Sequence, residues 1–387
     1  MEITQLCDIN KRFIMQIRKL IRTLLRLKIF YSYNKYYKSL LKRNNIKNTK
    51  VENEDKWIEK WSVLGKANPI YFRLFSHYIG NNLNIIPEDI CRNIVEPILD
   101  PLRYVSYYAD KNMFDKLFGQ EVMPQTIFRK MHGFYYGSDY KRINIKDNKT
   151  LTNILAESKC QKIVIKPTID SCSGNDVRLF KINGNKWHEI GTSEELTIEY
   201  LEKYYGDNII VQECVEQADY ISYYNPTSVN TLRLTLYRSV NTDECHIPSA
   251  IIRIGKNGSL VDNAHAGGGY VGIKKDGTLC NKVLDQYGTT TTNFNGIDFT
   301  KEHKIPNWDQ VVEFAKKIGQ KIPHHRLLAM DIMVDKSGTP RLIEFNCDGY
   351  SMWLFQFTTG PALGEYTDEI IEYCKNNIDK AHKVISI

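Results

Sequence analysis

Met330-Asp331-Ile332-Met333-Val334 and, after the turn Asp335-Lys336-Ser337-Gly338, Arg341-Leu342-Ile343-Glu344-Phe345-Asn346 are two apolar runs joined by a polar, glycine-containing connection. This pattern predicts a β-hairpin. Side chains alternate along a strand, so Glu344 and Asn346 share a face, about 6.7 Å apart along the chain. Folding the hairpin about its centre brings Asp331 nearly opposite Glu344. Two carboxylates and an amide oxygen converging among Ile, Met, Val, Leu and Phe repel one another and are costly to bury without a counter-ion. An all-oxygen donor set selects a hard divalent cation, and Mg²⁺ is the one that ordinarily bridges protein carboxylates and substrate phosphates. The rival reading, polar residues facing solvent at strand ends, sits badly with the apolar neighbours.

A metal of that kind calls for phosphates. Upstream, Lys162-Ile163-Val164-Ile165-Lys166-Pro167 reads as a strand running into Asp170-Ser171-Cys172-Ser173-Gly174-Asn175, with a second strand from Val177. Small side chains let backbone N–H groups close over anionic oxygens, and Lys166 supplies a point charge. A plain hairpin turn has the same composition. The loop is neither a Walker A sequence nor a Gly-x-Gly-x-x-Gly after a strand, so the usual nucleotide folds gain no support.

Outward from these segments the texture is an α+β body. Short strand-like runs at Lys162–Lys166, Val177–Lys181, Asn208–Gln212, Asn230–Tyr237, Ala250–Ile254, Leu327–Val334 and Arg341–Phe345 alternate with helical stretches at Ser193–Tyr204 and Trp308–Ile318. A closing helix is expected over Tyr366–Lys380. Residues 51–125 are helical, broken at Asn68-Pro69, Pro87 and Asp100-Pro101, with Trp57 and Trp61 one turn apart on a buried face. The expected organisation is a basic amphipathic helical segment (1–50), a helical cap domain (51–125), and two α+β units (126–227 and 228–387). A length of 387 residues with 42% hydrophobic and 25% charged residues suits two or three globular domains and excludes a wholly disordered or collagen-like chain. The nine cysteines form no Cys-x-x-Cys pair, so they read as reduced and structural.

Charge is unevenly placed. Net charge is +7, but residues 1–50 hold thirteen Lys/Arg against Glu2 and Asp8, a local +11 that leaves −4 for the rest. Phe13, Ile14, Ile17, Leu20, Ile21, Leu24, Leu25 and Leu27 recur at helical spacing, with Arg12, Arg18, Lys19, Arg22 and Arg26 filling the other face. Such a helix suits an anionic membrane surface, and equally can pack its apolar stripe on the body. A slightly acidic remainder offers no extended basic surface for nucleic acid. No stretch is apolar enough to span a membrane and no secretory leader is evident, so a cytoplasmic address is expected, peripheral on the inner face of the plasma membrane if the helix binds lipid.

The ordered set of Lys166 with Ser171 and Gly174, Val211-Gln212-Glu213-Cys214-Val215, Asn230-Thr231-x-Arg233, and Asp331 followed by Glu344-x-Asn346 resembles the ATP-grasp superfamily. More narrowly it resembles the sugar-transfer-associated ATP-grasp proteins encoded with bacterial surface-polysaccharide genes. The resemblance implies an ATP-grasp fold, two α+β subdomains gripping ATP, with ATP and Mg²⁺ as cofactors. It makes Lys111 of Asp110-Lys111 one phosphate-binding lysine, with Lys116 as its rival, and Lys166 the second. It places Ser171, Ser173, Gly174 and Asn230 on the cofactor side, assigns the adenine edge to backbone groups of Gln212, Glu213, Cys214 and Val215, and gives the ribose to Glu216 or Asp219. Arg233 matches a residue that neutralises the γ-phosphate in transfer; Asp331, Glu344 and Asn346 match the Mg²⁺ ligands.

Outside the shared core, Arg253 is a further catalytic candidate, and Asp262, Asn263, His265 and Gly268 are candidates for the acceptor side, the glycine allowing close backbone approach. The activity implied is an amide-forming carboxylate–amine ligase working through an acyl phosphate on a sugar or amino-acid component of a bacterial cell-surface polysaccharide, on a small-molecule or lipid-linked glycan substrate. A kinase using the same site, or a non-catalytic nucleotide- or membrane-binding scaffold, are the rivals.

Overall fold

The computed structural model describes residues 2–169 and 176–382. Two sheets carry the fold. The smaller has six antiparallel strands: β1 (Thr126–Met131), β2 (Phe134–Gly137), β3 (Lys162–Pro167), β4 (Arg178–Asn183), β5 (Lys186–Glu189) and β6 (Ile209–Glu213), in the order β2-β1-β6-β3-β4-β5. The larger has seven, order β11-β10-β9-β8-β7-β14-β15, built from β7 (Leu232–Arg238), β8 (Cys245–Ile254), β9 (Gly269–Ile273), β10 (Val283–Leu284), β11 (Thr290–Thr291), β14 (Leu327–Val334) and β15 (Pro340–Asn346). A two-stranded ribbon, β12 (Asn293–Phe294) with β13 (Ile297–Asp298), completes the β structure. The result is an α+β architecture of two sheet-centred units preceded by helices.

β14 is flanked by β7 and β15 and covered on both faces, and all eight of its residues are buried. One face meets helix Trp308–Gln320 through Val311, Ala315 and Ile318, with Phe114 and Phe118. The other meets the N-terminal helices α1 (Glu2–Arg43), α2 (Glu54–Ser62) and α3 (Pro69–Ile79) and the C-terminal helix Thr367–Asn376. Trp57, Trp61, Phe72 and Phe75 thus share one core with Tyr237, Ile251 and Ala329 of the large sheet. The helices of the cap region are therefore continuous with the sheet instead of enclosing a core of their own. The smaller sheet has a separate core, Phe128, Ile163, Ile165 and Val211 against Leu151, Leu155 and Leu201.

Two local expectations shift. The helix expected from Ser193 begins at Ile198, capped by the Thr197 side chain, because Glu195 bridges His188 at the edge of β5. The closing helix ends at Asn376 and continues as a tighter turn over Ile378–His382. Among the described residues no helix is long and apolar enough to cross a membrane.

The tryptophan pair anchors the helical layer. Trp57 donates its Nε1–H to Ile85 O at 2.7 Å and stacks on Phe72 with ring centroids 5.2 Å apart; Trp61 donates to Leu83 O at 3.1 Å. Trp57→Ala should lower stability by about 3–5 kcal/mol, the usual cost of deleting a buried indole. The check is a reduced urea midpoint at unchanged slope.

Candidate functional site

The hairpin β14–β15 pairs Asp331 with Glu344 and Ala329 with Asn346, and on its other edge β14 pairs Asp331 with Arg233 of β7. Strand alternation therefore sets carboxylate, carboxylate and guanidinium side by side on one face. Arg233 grips Asp331 with both arms, Nε to Oδ1 at 2.8 Å and Nη2 to Oδ2 at 2.7 Å. Arg253, from β8, lies 3.4 Å from the same Oδ2 and donates its Nε–H to Thr231 Oγ1 at 2.8 Å. Burial pushes the Asp331 carboxyl up, but Arg233 and Arg253 outweigh it and hold the group below the ordinary carboxylate range. Asp331 in turn raises Arg233 against the opposing effect of burial.

Across from this row stand two lysines. Lys111 opens a short turn after Asp110, whose side chain caps it by accepting from Asn112 N–H. Its Nζ lies 3.4 Å from Glu344 Oε2. The rival Lys116 instead lies over the Tyr140 ring, 3.9 Å from its centroid. Lys166, buried near the end of β3, is lowered to about 8 by burial and by the neighbouring Lys111, with Glu344 acting the other way. Lys111, Lys166, Arg233, Arg253, Glu344 and Asn346 line one cavity of about 920 Å³ between the two sheets, with an apolar flank that includes Val164, Leu179, Met333 and Ile343, whereas Asp331, fully buried and paired with Arg233, does not line it.

The other candidate residues divide. Gln212, Glu213, Cys214, Val215 and Asp219 line the cavity. The amides of Glu213 and Cys214, however, are already bonded to Gln125 O and Lys162 O, and Gln212 is paired within the sheet with Thr126 and Val164, so these three are committed to the sheet and its edge. The Gln212 side chain is held by Pro124 O and Thr126 Oγ1. Glu216 faces Lys336 at 3.2 Å. Asn263 and His265 line the cavity, and His265 Nδ1 is bonded to Gln286 Oε1. Asp262 also lines it, but accepts from Thr231 N–H at 3.0 Å and lies 3.3 Å from Arg253 Nε, which makes it an anchor for its loop.

Two assignments need correction. Asn230 does not line the cavity: alternation sends it to the face opposite Thr231 and Arg233, where it donates to Ile221 O and Asn225 O and accepts from Gly255 N–H. Gly268 is closed off by its own loop, a Cβ there meeting Asp262 O at 2.6 Å, and the neighbouring Gly269 lines the cavity instead. Ser171, Ser173 and Gly174 lie outside the described residues.

Sequence reasoning passed over Tyr270, Gly349, Ser351 and Trp353, all of which line the cavity. The segment Cys347-Asp348-Gly349-Tyr350-Ser351 directly after Asn346 was the available signal, since a polar turn leaving an active strand end borders the same space. Arg129 is fully buried and bound to Asp115 at 2.6 Å and to Asn112 O, so it holds the Lys111 turn and does not reach the cavity.

The residues fit a divalent cation. Glu344 and Asn346 line the cavity and Asp331 is paired beside Glu344, so the donor set is two carboxylates and an amide oxygen, the all-oxygen chemistry a hard cation takes. No group of three or more His, Cys, Asp or Glu side chains among those residues is placed to hold a metal, so an ion at this site would draw on the amide and on incoming ligand oxygens. Arg233→Met strands Asp331 as a buried, under-compensated charge and should cost about 3–5 kcal/mol, with Arg233→Lys recovering part. Chemical denaturation of the three proteins at neutral pH is the check.

The sugar-transfer associated ATP-grasp family matches residues 95–371. No curated protein matches the chain in sequence. Among solved structures, D-cycloserine synthetase shares 14% identity over 72% of this chain and 73% of its own, at a TM-score of 0.40. The biotin carboxylase domain of the Hydrogenobacter thermophilus 2-oxoglutarate carboxylase, solved with MgADP, ADP and bicarbonate, shares 8% over 72% and 47%, at 0.40. The L-amino acid ligase from Bacillus licheniformis shares 11% over 63% and 41%, at 0.31. The chain thus spans less than half the length of the latter two, and no argument rests on likenesses this distant. The family match covers most of the chain and agrees with the ordered residues that line the cavity: the chain belongs to the sugar-transfer associated ATP-grasp family.

Proposed function

We propose that this chain is an ATP- and Mg²⁺-dependent, ADP-forming ligase that joins a carboxylate to an amine on a sugar or amino-acid component of a bacterial cell-surface polysaccharide. The observation that carries the reading is the cavity lined by Lys111, Lys166, Arg233, Arg253, Glu344 and Asn346, with buried Asp331 paired beside Glu344 and Arg233. Four cations around the three carboxylates of Asp331, Glu344 and Asp262 leave one positive charge in excess at this end of the cavity, suited to a polyphosphate.

In this reading the adenine enters the apolar flank at Val164, Leu179, Met333 and Ile343. Lys111 and Lys166 bind phosphate oxygens, and Asp331, Glu344 and Asn346 hold the metal. When bound, Mg²⁺ neutralises phosphate charge and polarises the γ-phosphoryl group. Lys111 and the two arginines then change partners, from carboxylate to phosphoryl oxygens, at a site already organised for anions. An acceptor carboxylate oxygen forms a bond to the γ-phosphorus as the bond to the β–γ bridging oxygen breaks, releasing ADP. The amine attacks the acyl carbon, the phosphate leaves with its electron pair, and the amine proton passes to solvent or to a nearby base. Arg253, anchored to Thr231 and near Asp262, borders the wall that includes His265, which suits the acceptor side.

Hydroxylamine replaces an unidentified amine. With pooled sugar acids and amino acids, the wild type should release ADP and phosphate and yield hydroxamate, and Lys166→Ala should lose most of both. A stable phosphorylated product without hydroxamate would convert the reading to a kinase, and AMP with pyrophosphate would overturn ADP formation.

Lys166 also sets a pH dependence. Its proton affinity in the fold lies near 8, below the 10.5 of a free lysine. Below 8 its charge opposes folding, and stability gains from this group as pH rises through the window between the two values. A bound polyphosphate favours the charged form, so nucleotide affinity should fall as pH rises above about 8. Lys166→Gln should bind more weakly and lose this slope, read by fluorescence titration of an ATP analogue between about pH 7 and 9.5.

A further inference from the structure

Helix α1 has 42 residues, a length of about 63 Å at the usual rise. Its last turns are fixed to the body. Tyr37, Leu40 and Leu41 are buried, the Tyr37 ring meets Tyr71 and Phe75 at 4.7 and 5.9 Å, and Asn44 Nδ2 donates to Tyr287 O at 2.8 Å. Asn68 Nδ2 donates to Asn34 Oδ1 at 3.3 Å.

N-terminal to that contact the helix shows the opposite character. Leu20, Leu24, Leu27 and Tyr31 are 61, 57, 46 and 66% exposed, and their four-three-four spacing puts them in one stripe. Continued at the same spacing past Tyr31, the positions are Asn34, Lys38 and Leu41: Lys38 is exposed, Asn34 is bonded to Asn68, and Leu41 is buried on the body with Tyr37 and Leu40. Toward the N-terminus the same spacing runs through Ile17 and Phe13.

Charge decides what covers it. Between Asp8 and Glu52 there is no acidic residue, while Arg18, Lys19, Arg22, Arg26 and Lys28 occupy register positions off the stripe. A helix from a second copy would set two +11 segments together with no carboxylate to pair across the seam, which is what coiled-coil flanking positions ordinarily supply. An anionic lipid surface supplies both the apolar layer and the opposite charge. We propose that the projecting part of α1, about residues 13–31, lies in the interface of an anionic bilayer and tethers the catalytic body to it, with Leu20, Leu24, Leu27 and Tyr31 facing the acyl chains. This inference stands apart from the ligase reading.

The test uses the full chain and extruded vesicles of phosphatidylcholine with or without phosphatidylglycerol, read by co-sedimentation. The tether predicts binding to the anionic vesicles only, with partitioning weakened about tenfold or more between about 0.05 and 0.5 M salt. Leu24→Gln with Leu27→Gln, and separately Arg22→Gln with Arg26→Gln, should each weaken it about tenfold, with unchanged thermal midpoint and unchanged ATP-analogue binding. Absence of binding to anionic vesicles, equal binding to neutral ones, or indifference to both variants would overturn it. So would a dimer in sedimentation equilibrium that dissociates in the leucine variant, because the stripe would then belong to a second copy. Failure to form hydroxamate in the hydroxylamine assay would bear on the ligase alone, so the two readings fail separately.

Discussion

A carboxylate with no access to water, Asp331, sits on a fully buried strand between β7 and β15 and is tolerated because Arg233 on the neighbouring strand meets both of its oxygens. Desolvation of an isolated carboxylate in such a place costs several kcal/mol, and removing one partner of a buried pair typically costs more than the pair contributes. Glu344 on the opposite strand adds a second negative charge, and Lys111 and Arg253 close the balance. The rest of the molecule follows from this constraint. The sheet must be wide enough to bring β7, β8, β14 and β15 into register, and both faces must be covered to keep water out.

The same row joins folding to chemistry. Every cation that neutralises the carboxylates is also a group that can bind phosphate, so the protein without ligand holds a charge arrangement in which exchange of partners, and no large rearrangement of charge, is all that binding demands. Positioning comes from elsewhere. Arg129, fully buried under the small sheet, ties Asp115 and Asn112 O, and thereby the turn that carries Lys111. Thr231 and Asp262 do the same for Arg253. These supports lie in different parts of the chain, which explains why the cavity draws on both sheets.

Much of this was legible before any coordinates. Strand alternation and a central fold placed Asp331 opposite Glu344, and that is the register observed. Strand β14 matches its expected span at both ends, because continuous apolar runs bounded by turns carry their own limits. The pairing of Asp331 with Arg233 was not legible, since nothing local links residues 98 positions apart. Parity could have excluded Asn230, which differs by one position from Thr231 and so faces away. Gly268 illustrates the reverse: a glycine marks close approach, but only the fold shows that the approaching group is the loop's own backbone. The amphipathic N-terminus left two destinations open in the sequence; the structure sets its last turns on the body and leaves the Leu20–Tyr31 stripe exposed.

The central claim is that Asp331, Glu344 and Asn346 hold a divalent cation together with nucleotide phosphates, taking over from the internal cations. Calorimetric titration of ATP with and without Mg²⁺ into the wild type and an Asp331→Asn, Glu344→Gln double variant tests it most directly. The account predicts binding to the wild type that is markedly tighter with Mg²⁺, and loss of that difference in a variant shown to be folded. Equal affinity with and without Mg²⁺ in the wild type, or an undiminished Mg²⁺ effect in the variant, would contradict it.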